Sequence, residues 1–400
     1  MRFLFVSAPM PGHLDWGGYL PTAAELARRG HTVTWASGAA VAQLVAAAGV
    51  PFHALRETGW RWPPPPPLQL APDIDPALAR RLRGERALDQ WLDEPRVAAA
   101  TQALLDLARA IQPDLVVSEV FVSAAGLAAE ALGAPFAVAG WPALPPNAAA
   151  GDPALVDLAR GRLARLLGLF GLRGVNWTSE GAPALQSPHL HLTYWSPRWY
   201  AGRELLPQTA HVGGQALPPT PPPTWPDGDP WVLITLGTSF GNDPHFFVNA
   251  ARATAELGCL PIVALAGQLT AAQVAALRPS LPATAIVVDR VDFASVLPKL
   301  AAAIHHGGAG VTHALVTHAV PQLVVPHAAD QMHQAQGVVR SGVGLHLPAK
   351  EATVERLTVA LAQLLPDLSS WRANAEVLRD EFAGLGGIAR AADLLAQLGR

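Results

Sequence analysis

From Trp231 to Leu347 the chain alternates, without a break, between short apolar runs and helix-like segments. The runs are Trp231–Leu236, Pro261–Ala266, Ala285–Asp289, Ala302–His305, Gln322–Val325 and Val343–Leu347. Helices are predicted to begin near Pro244, Ala271, Phe293, Gly310, Gln331 and Ala352. Strands that are apolar throughout, instead of at every second residue, suit a parallel sheet covered on both faces. A helix between each pair makes the right-handed βαβ unit. The same order opens the chain: a strand at Arg2–Pro9, a helix at Tyr19–Arg29 stopped by Gly30, then a strand at His31–Ser37. It recurs at Leu115–Val117 and Phe136–Ala139, with helices around Ala77–Trp91 and Arg96–Ile111. Between the two series, PPTPPPTWPDGDP carries proline at almost every other position and can be neither helix nor central strand. The predicted class is therefore α/β, with two Rossmann-like doubly wound domains facing across a cleft. The first domain is expected over 1–206, a proline-rich linker over 207–228, and the second domain over 229–385. Pro63–Pro67 falls too early to close a domain and is read as a stiff surface loop.

Composition narrows the function classes. Lys and Arg number 28 against 31 Asp and Glu, so the basic excess of a nucleic-acid binder is missing. The single cysteine, Cys259, excludes an internal disulfide and a cysteine-built metal site, and suits a reducing compartment. The first residues, MRFLFVSAPMPGH, break too soon for a signal peptide, and no apolar stretch is long enough for a membrane span. The expectation is a cytoplasmic protein, with peripheral membrane contact and dimerisation left open.

The segment most suggestive of chemistry is AIHHGGAG, Ala303–Gly310, at the end of a predicted strand and the start of a helix. Gly307, Gly308 and Gly310 let the backbone turn sharply and approach a ligand. The helix N-terminus then offers N–H groups and partial positive charge to a phosphate. A tight turn without a ligand would use the same residues.

Its surroundings decide between these. Upstream stands VDRVDFASVLPKLAA and downstream ALVTHAVPQLVVPHAADQ, and an N-terminal GH, an RGH after the first helix and TLGTSF follow in the same order. Together these resemble the nucleotide-sugar glycosyltransferases of the large UDP-glucosyl/macrolide family, in their bacterial natural-product or glycolipid form, over essentially the whole chain. The resemblance implies a GT-B fold in which a helix at 386–400 packs back onto the first domain. It implies His306 at the donor diphosphate, with Gly308, Ala309, Gly310 and Val311 offering N–H groups and Thr238 a hydroxyl. Val291 would meet the base through its main chain, Arg290 would flank it, and Asp330 and Gln331 would hold sugar hydroxyls. Val311 replaces the usual Ser or Thr, which removes one hydroxyl unless Thr312 supplies it. Arg290 stands where an aromatic or apolar residue is expected, which leaves the choice among UDP, TDP and GDP open.

The candidate base is His13, in the loop after the first strand, able to take a proton from an acceptor hydroxyl near neutral pH. Such a base needs a carboxylate on its other nitrogen. The family places an aspartate after "PDLVV"; this chain reads PDLVVSE and offers Glu119. The segment GHLDWGGYLP is about two residues longer than usual and introduces Asp15 as a rival. Trp16, Trp60, Trp62 and Trp141 fall at or beside strand-end loops and could stack on a ring-bearing acceptor, though tryptophan is as often core. Six histidines lie between His305 and His333, but no HExxH occurs and His313 and His318 are five apart, so no metal site is expected. The reading is an inverting, metal-independent glycosyltransferase with no cofactor beyond its nucleotide-sugar co-substrate and a small-molecule acceptor. A sugar-nucleotide epimerase of the same plan, or a non-catalytic nucleotide-sugar binder, are the alternatives. A dehydrogenase is disfavoured because neither first βα turn carries GxGxxG.

Overall fold

The computed structural model describes residues 1–400 apart from Trp16, Pro67, Pro72, 141–151, Asp227, 239–242, Gln268, 328–330 and 366–368. It divides into two compact units: Met1–Thr193 with Arg203–His211 and Ile388–Arg400, and Tyr194–Gly202 with Val212–Gly387.

The first unit is built on seven strands: β1 (Arg2–Val6), β2 (Thr32–Ser37), β3 (Phe52–Ala54), β4 (Leu115–Ser118), β5 (Phe136–Gly140), β6 (Leu190–Thr193) and β7 (Thr209–His211). Their order is β3-β2-β1-β4-β5-β6-β7 and the pairings are parallel. Every residue of β4 and β5 is buried, as a strand covered on both faces must be. Leu104, Leu107, Leu127 and Leu163 of the surrounding helices pack into the same cluster as Val116 and Val138. Tyr19 is fully buried with its hydroxyl 2.8 Å from the Val6 carbonyl and 3.1 Å from that of Val117, which ties the ends of β1 and β4 together. The closing segment Ile388–Arg400 belongs to this unit, where Asp393 pairs with Arg29 at 2.6 Å.

The second unit carries β8 (Trp231–Thr235), β9 (Leu260–Ala264), β10 (Ile286–Val288), β11 (Leu300–His305), β12 (Gln322–Val324) and β13 (Gly344–His346), in the order β10-β9-β8-β11-β12-β13. These pairings are parallel too. β8 and β9 are buried along their whole length, with Phe247, Leu357 and Leu361 covering one face and Leu315 and Val296 the other.

Local signals explain several helix starts. Asp–Pro opens the helices at Pro76, Pro153 and Pro244, and in each the aspartate carboxylate accepts a first-turn N–H. Tyr194–Gly202 leaves the first unit before the proline-rich stretch begins, because its aromatic side chains are core to the second. Trp195 and Trp199 stack 4.4 Å apart, and Trp195 meets His313 and Phe382 edge-on. Trp199 fits only because residue 337 is glycine, whose added Cβ would lie 2.1 Å from the indole.

Candidate active site

β1 and β4 are neighbours, yet the chain runs to opposite sides of the sheet from them, which makes their carboxyl ends a topological switch point. The short helix Gly12–Asp15 that follows β1 delivers His13, and the residue after β4 is Glu119. Their side chains meet: His13 Nδ1 lies 2.9 Å from Glu119 Oε1 and 2.8 Å from Oε2. Glu119 is fully buried, and its Oε1 also accepts the Ala8 N–H at 2.6 Å. A buried carboxylate is tolerated only when paired and hydrogen-bonded, and this one has both partners. Holding Nδ1–H against the carboxylate fixes the tautomer, so Nε2 becomes the proton-accepting nitrogen. The carboxylate in contact with His13 is Glu119, despite the longer segment that introduces Asp15.

Around the imidazole stand two rings. Trp60 is 5.3 Å from His13 between centroids and Phe121 is 5.4 Å away, while Trp60 and Phe121 are themselves 5.4 Å apart. Phe121 escaped the sequence reading: it lies in the turn after Glu119, where no strand or helix periodicity marks its side. Trp62 is 37% exposed and is not part of this ring cluster. Trp16 and Trp141 lie outside the described residues.

The second unit repeats the arrangement at β8 and β11. Thr238 follows β8, Arg290 and Val291 follow β10, the turn His306–Gly308 follows β11, and Gln331 follows β12, so all stand at the carboxyl edge of one parallel sheet. His305 accepts the Gly307 N–H on Nδ1 at 3.1 Å, which leaves its Nε2–H to donate to Gln322 Oε1 at 3.0 Å. Burial pushes its pKa down to about 4, so the ring is a neutral strut of the turn. Gly307 has φ +90°, and a Cβ there would lie 2.8 Å from Val324 and 3.0 Å from the Gln331 carbonyl. The His306 ring is held between Gly237 and Gly308, either of which would strike it with a Cβ at 2.5 or 2.4 Å. Burial, then the neighbouring His305 and His327, take the His306 pKa down to about 3. Its Nδ1 is buried with no hydrogen-bond partner. Helix Ala309–Thr317 begins beside it with no side-chain cap on Gly308, so the first-turn N–H groups have no partner of their own helix. A neutral imidazole, uncapped N–H groups and the positive end of a helix are together suited to receiving an anion.

Other expectations meet mixed outcomes. Thr312 does not supply the hydroxyl missing at Val311: it is buried and donates to the Gly308 carbonyl at 2.8 Å. Arg290 is exposed and loosely paired with Asp289 at 3.8 Å, and Val291 is half-buried against the core. Thr238 is exposed. Gln331 is 1% exposed and its amide oxygen accepts the His327 N–H at 2.7 Å, so part of its capacity holds the loop. Asp330 lies outside the described residues. The sequence reading also missed Asp243, which caps the helix at Pro244 and stands 3.5 Å from His327 Nε2. His313, one of the clustered histidines, is buried against Trp195 and Phe382 with its pKa pushed down to about 4. Among the described residues no group of three or more His, Cys, Asp or Glu is placed to hold a metal ion, and no helix is long and apolar enough to cross a membrane.

Comparison with known proteins bears on the fold. Residues 262–386 match the erythromycin biosynthesis protein CIII-like, C-terminal domain. L-demethylnoviosyl transferase of Streptomyces niveus is 29% identical over 96% of this chain and 94% of its own. TDP-daunosamine transferase DnrS of Streptomyces peucetius is 29% identical over 70% of this chain and 68% of its own. Among solved structures, the glycosyltransferase of kitacinnamycin superposes with a TM-score of 0.78 at 22% identity, covering 99% of this chain and 98% of that one. Two parallel α/β units and the likeness to solved glycosyltransferases give this chain the GT-B fold, and the C-terminal match and full-length relatives make it similar to glycosyltransferases of bacterial natural products.

Proposed function

We propose that the protein is an inverting glycosyltransferase that moves a sugar from a TDP- or UDP-sugar to a hydroxyl of a small, apolar or ring-bearing acceptor. The observation that carries this reading is the His13–Glu119 contact, at 2.8 and 2.9 Å on a fully buried carboxylate. The acceptor O–H gives its proton to His13 Nε2, and Glu119 stabilises the imidazolium that forms. The acceptor oxygen bonds to the anomeric carbon as the bond from that carbon to the β-phosphate oxygen breaks, with inversion. The nucleoside diphosphate leaves, and its charge is received by the N–H groups of Ala309, Gly310 and Val311 and by His306, in place of a divalent ion. Thr238, Arg290, Val291, Asp330 and Gln331 complete the donor set. TDP gains support from a relative whose name specifies a TDP-sugar.

Calorimetric titration with TDP and UDP tests the donor half. Saturable binding should persist in EDTA, and His306→Ala should weaken it by ~1.5–3 kcal/mol, as for a hydrogen bond to a charged group. Unchanged affinity in that variant, or binding lost to the chelator, contradicts the assignment.

A further inference from the structure

We propose that Trp60 and Phe121 make the acceptor side of this site selective for a planar aromatic hydroxyl, a phenol, over a saturated ring alcohol of the same size. The proposal rests on the reading of His13 as the base and names the substrate class of that same site. With His13 the two rings form a triangle of centroids 5.3, 5.4 and 5.4 Å apart, inclined to one another by 55°, 45° and 65°. Tilted and edge contacts of this kind depend on the ring quadrupole, and a saturated ring of equal area does not reproduce them.

The wall is also held in place before any ligand arrives. Glu57 accepts the N–H groups of Thr58 and Gly59 at 3.0 and 3.1 Å, and its other oxygen pairs with Arg96 at 2.8 Å. The backbone N–H of Trp60 donates to Thr58 Oγ1 at 3.3 Å. Arg61 exchanges two bonds with Gln90, at 2.9 Å through its N–H and 2.6 Å through its carbonyl. Phe121 is positioned by the same strand end as Glu119. A ring fixed in advance loses little freedom on binding, so its contacts appear as affinity. Charge points the same way. The buried Glu119 carboxylate disfavours an acceptor that arrives as an anion, so a phenol enters protonated. Its pKa of about 10 then makes proton transfer to the imidazole far easier than from an aliphatic alcohol.

The test is binding, without donor, of 1-naphthol and of trans-1-decalol, two fused six-membered rings with one hydroxyl each. Ligand-observed NMR titrations are run on the wild type and on Trp60→Leu, Phe121→Leu and Trp60→Phe. The wild type should bind naphthol about tenfold more tightly, the ratio given by ~1.4 kcal/mol of ring–ring contact. The ratio should fall towards one in both leucine variants and survive in Trp60→Phe, which keeps an aromatic ring and the fold. Equal affinities in the wild type, no binding of naphthol, or a preference that persists in both leucine variants overturns the proposal. Because no nucleotide is present, failure of the transferase reading is seen separately, in the TDP and UDP titrations.

Discussion

Glu119 is where a single residue bears most on the chemistry. It is one methylene longer than the aspartate of the family pattern, and the backbone accommodates that length by presenting the Ala8 N–H at 2.6 Å to the oxygen facing His13. Glu119→Gln keeps an acceptor for one of these two N–H donors but removes the charge that stabilises the imidazolium. Steady-state kinetics should show kcat lowered by roughly 10- to 10³-fold with donor affinity unchanged; an unaffected kcat would mean that the carboxylate only positions the loop. Gly307 makes the complementary case in the second unit. At φ +90° with 2.8 Å to Val324, Gly307→Ala combines a disfavoured backbone with a steric clash and should cost ~1–3 kcal/mol in chemical denaturation while weakening TDP binding. The glycine cluster was legible in the sequence because turn chemistry is local, whereas His13 and Glu119 were singled out through the family resemblance. Phe121 was not legible, since only the pairing of β1 with β4 brings it beside His13.

Strand–helix alternation was legible element by element, because parallel strands buried on both faces are written as unbroken apolar runs. β6, β7 and the helix Pro153–Phe170 were not singled out, as β7 is a three-residue edge strand with little periodicity to read. Nor does local propensity say that Tyr194–Gly202 packs in the second unit; that follows from the fit of Trp199 against Gly337. The histidines after Ile304 illustrate an element-scale consequence. His305, His306 and His313 sit on or beside β11 and the helix that follows, with pKa values near 4, 3 and 4. Unfolded histidine takes up its proton near pH 6.5, whereas these folded rings stay neutral until the solution is far more acidic. The unfolded state therefore binds more protons across that window, and stability falls on acidification from pH 6.5 towards 4, by ~1.4 kcal/mol per pH unit for each ring. Urea unfolding midpoints followed over this range should decline steeply; a flat profile would show that the rings are not buried as described.

At the scale of the whole molecule, one architectural rule accounts for both sites. Each unit places its chemistry where neighbouring strands send the chain to opposite sides, between β1 and β4 in the first and between β8 and β11 in the second. The first unit holds a buried histidine–carboxylate pair, and the second holds a glycine turn with a neutral histidine at a helix start, an arrangement that suits the proposed sugar transfer from a nucleoside diphosphate. The proposed role of His13 as general base is measured most directly by turnover of a phenolic acceptor with a TDP-sugar in His13→Ala, alongside TDP affinity of the same variant. Loss of a general base should lower kcat by ~10²–10⁴-fold with TDP binding within a factor of about two of wild type. Wild-type turnover in that variant, or a parallel collapse of TDP affinity, would contradict that role.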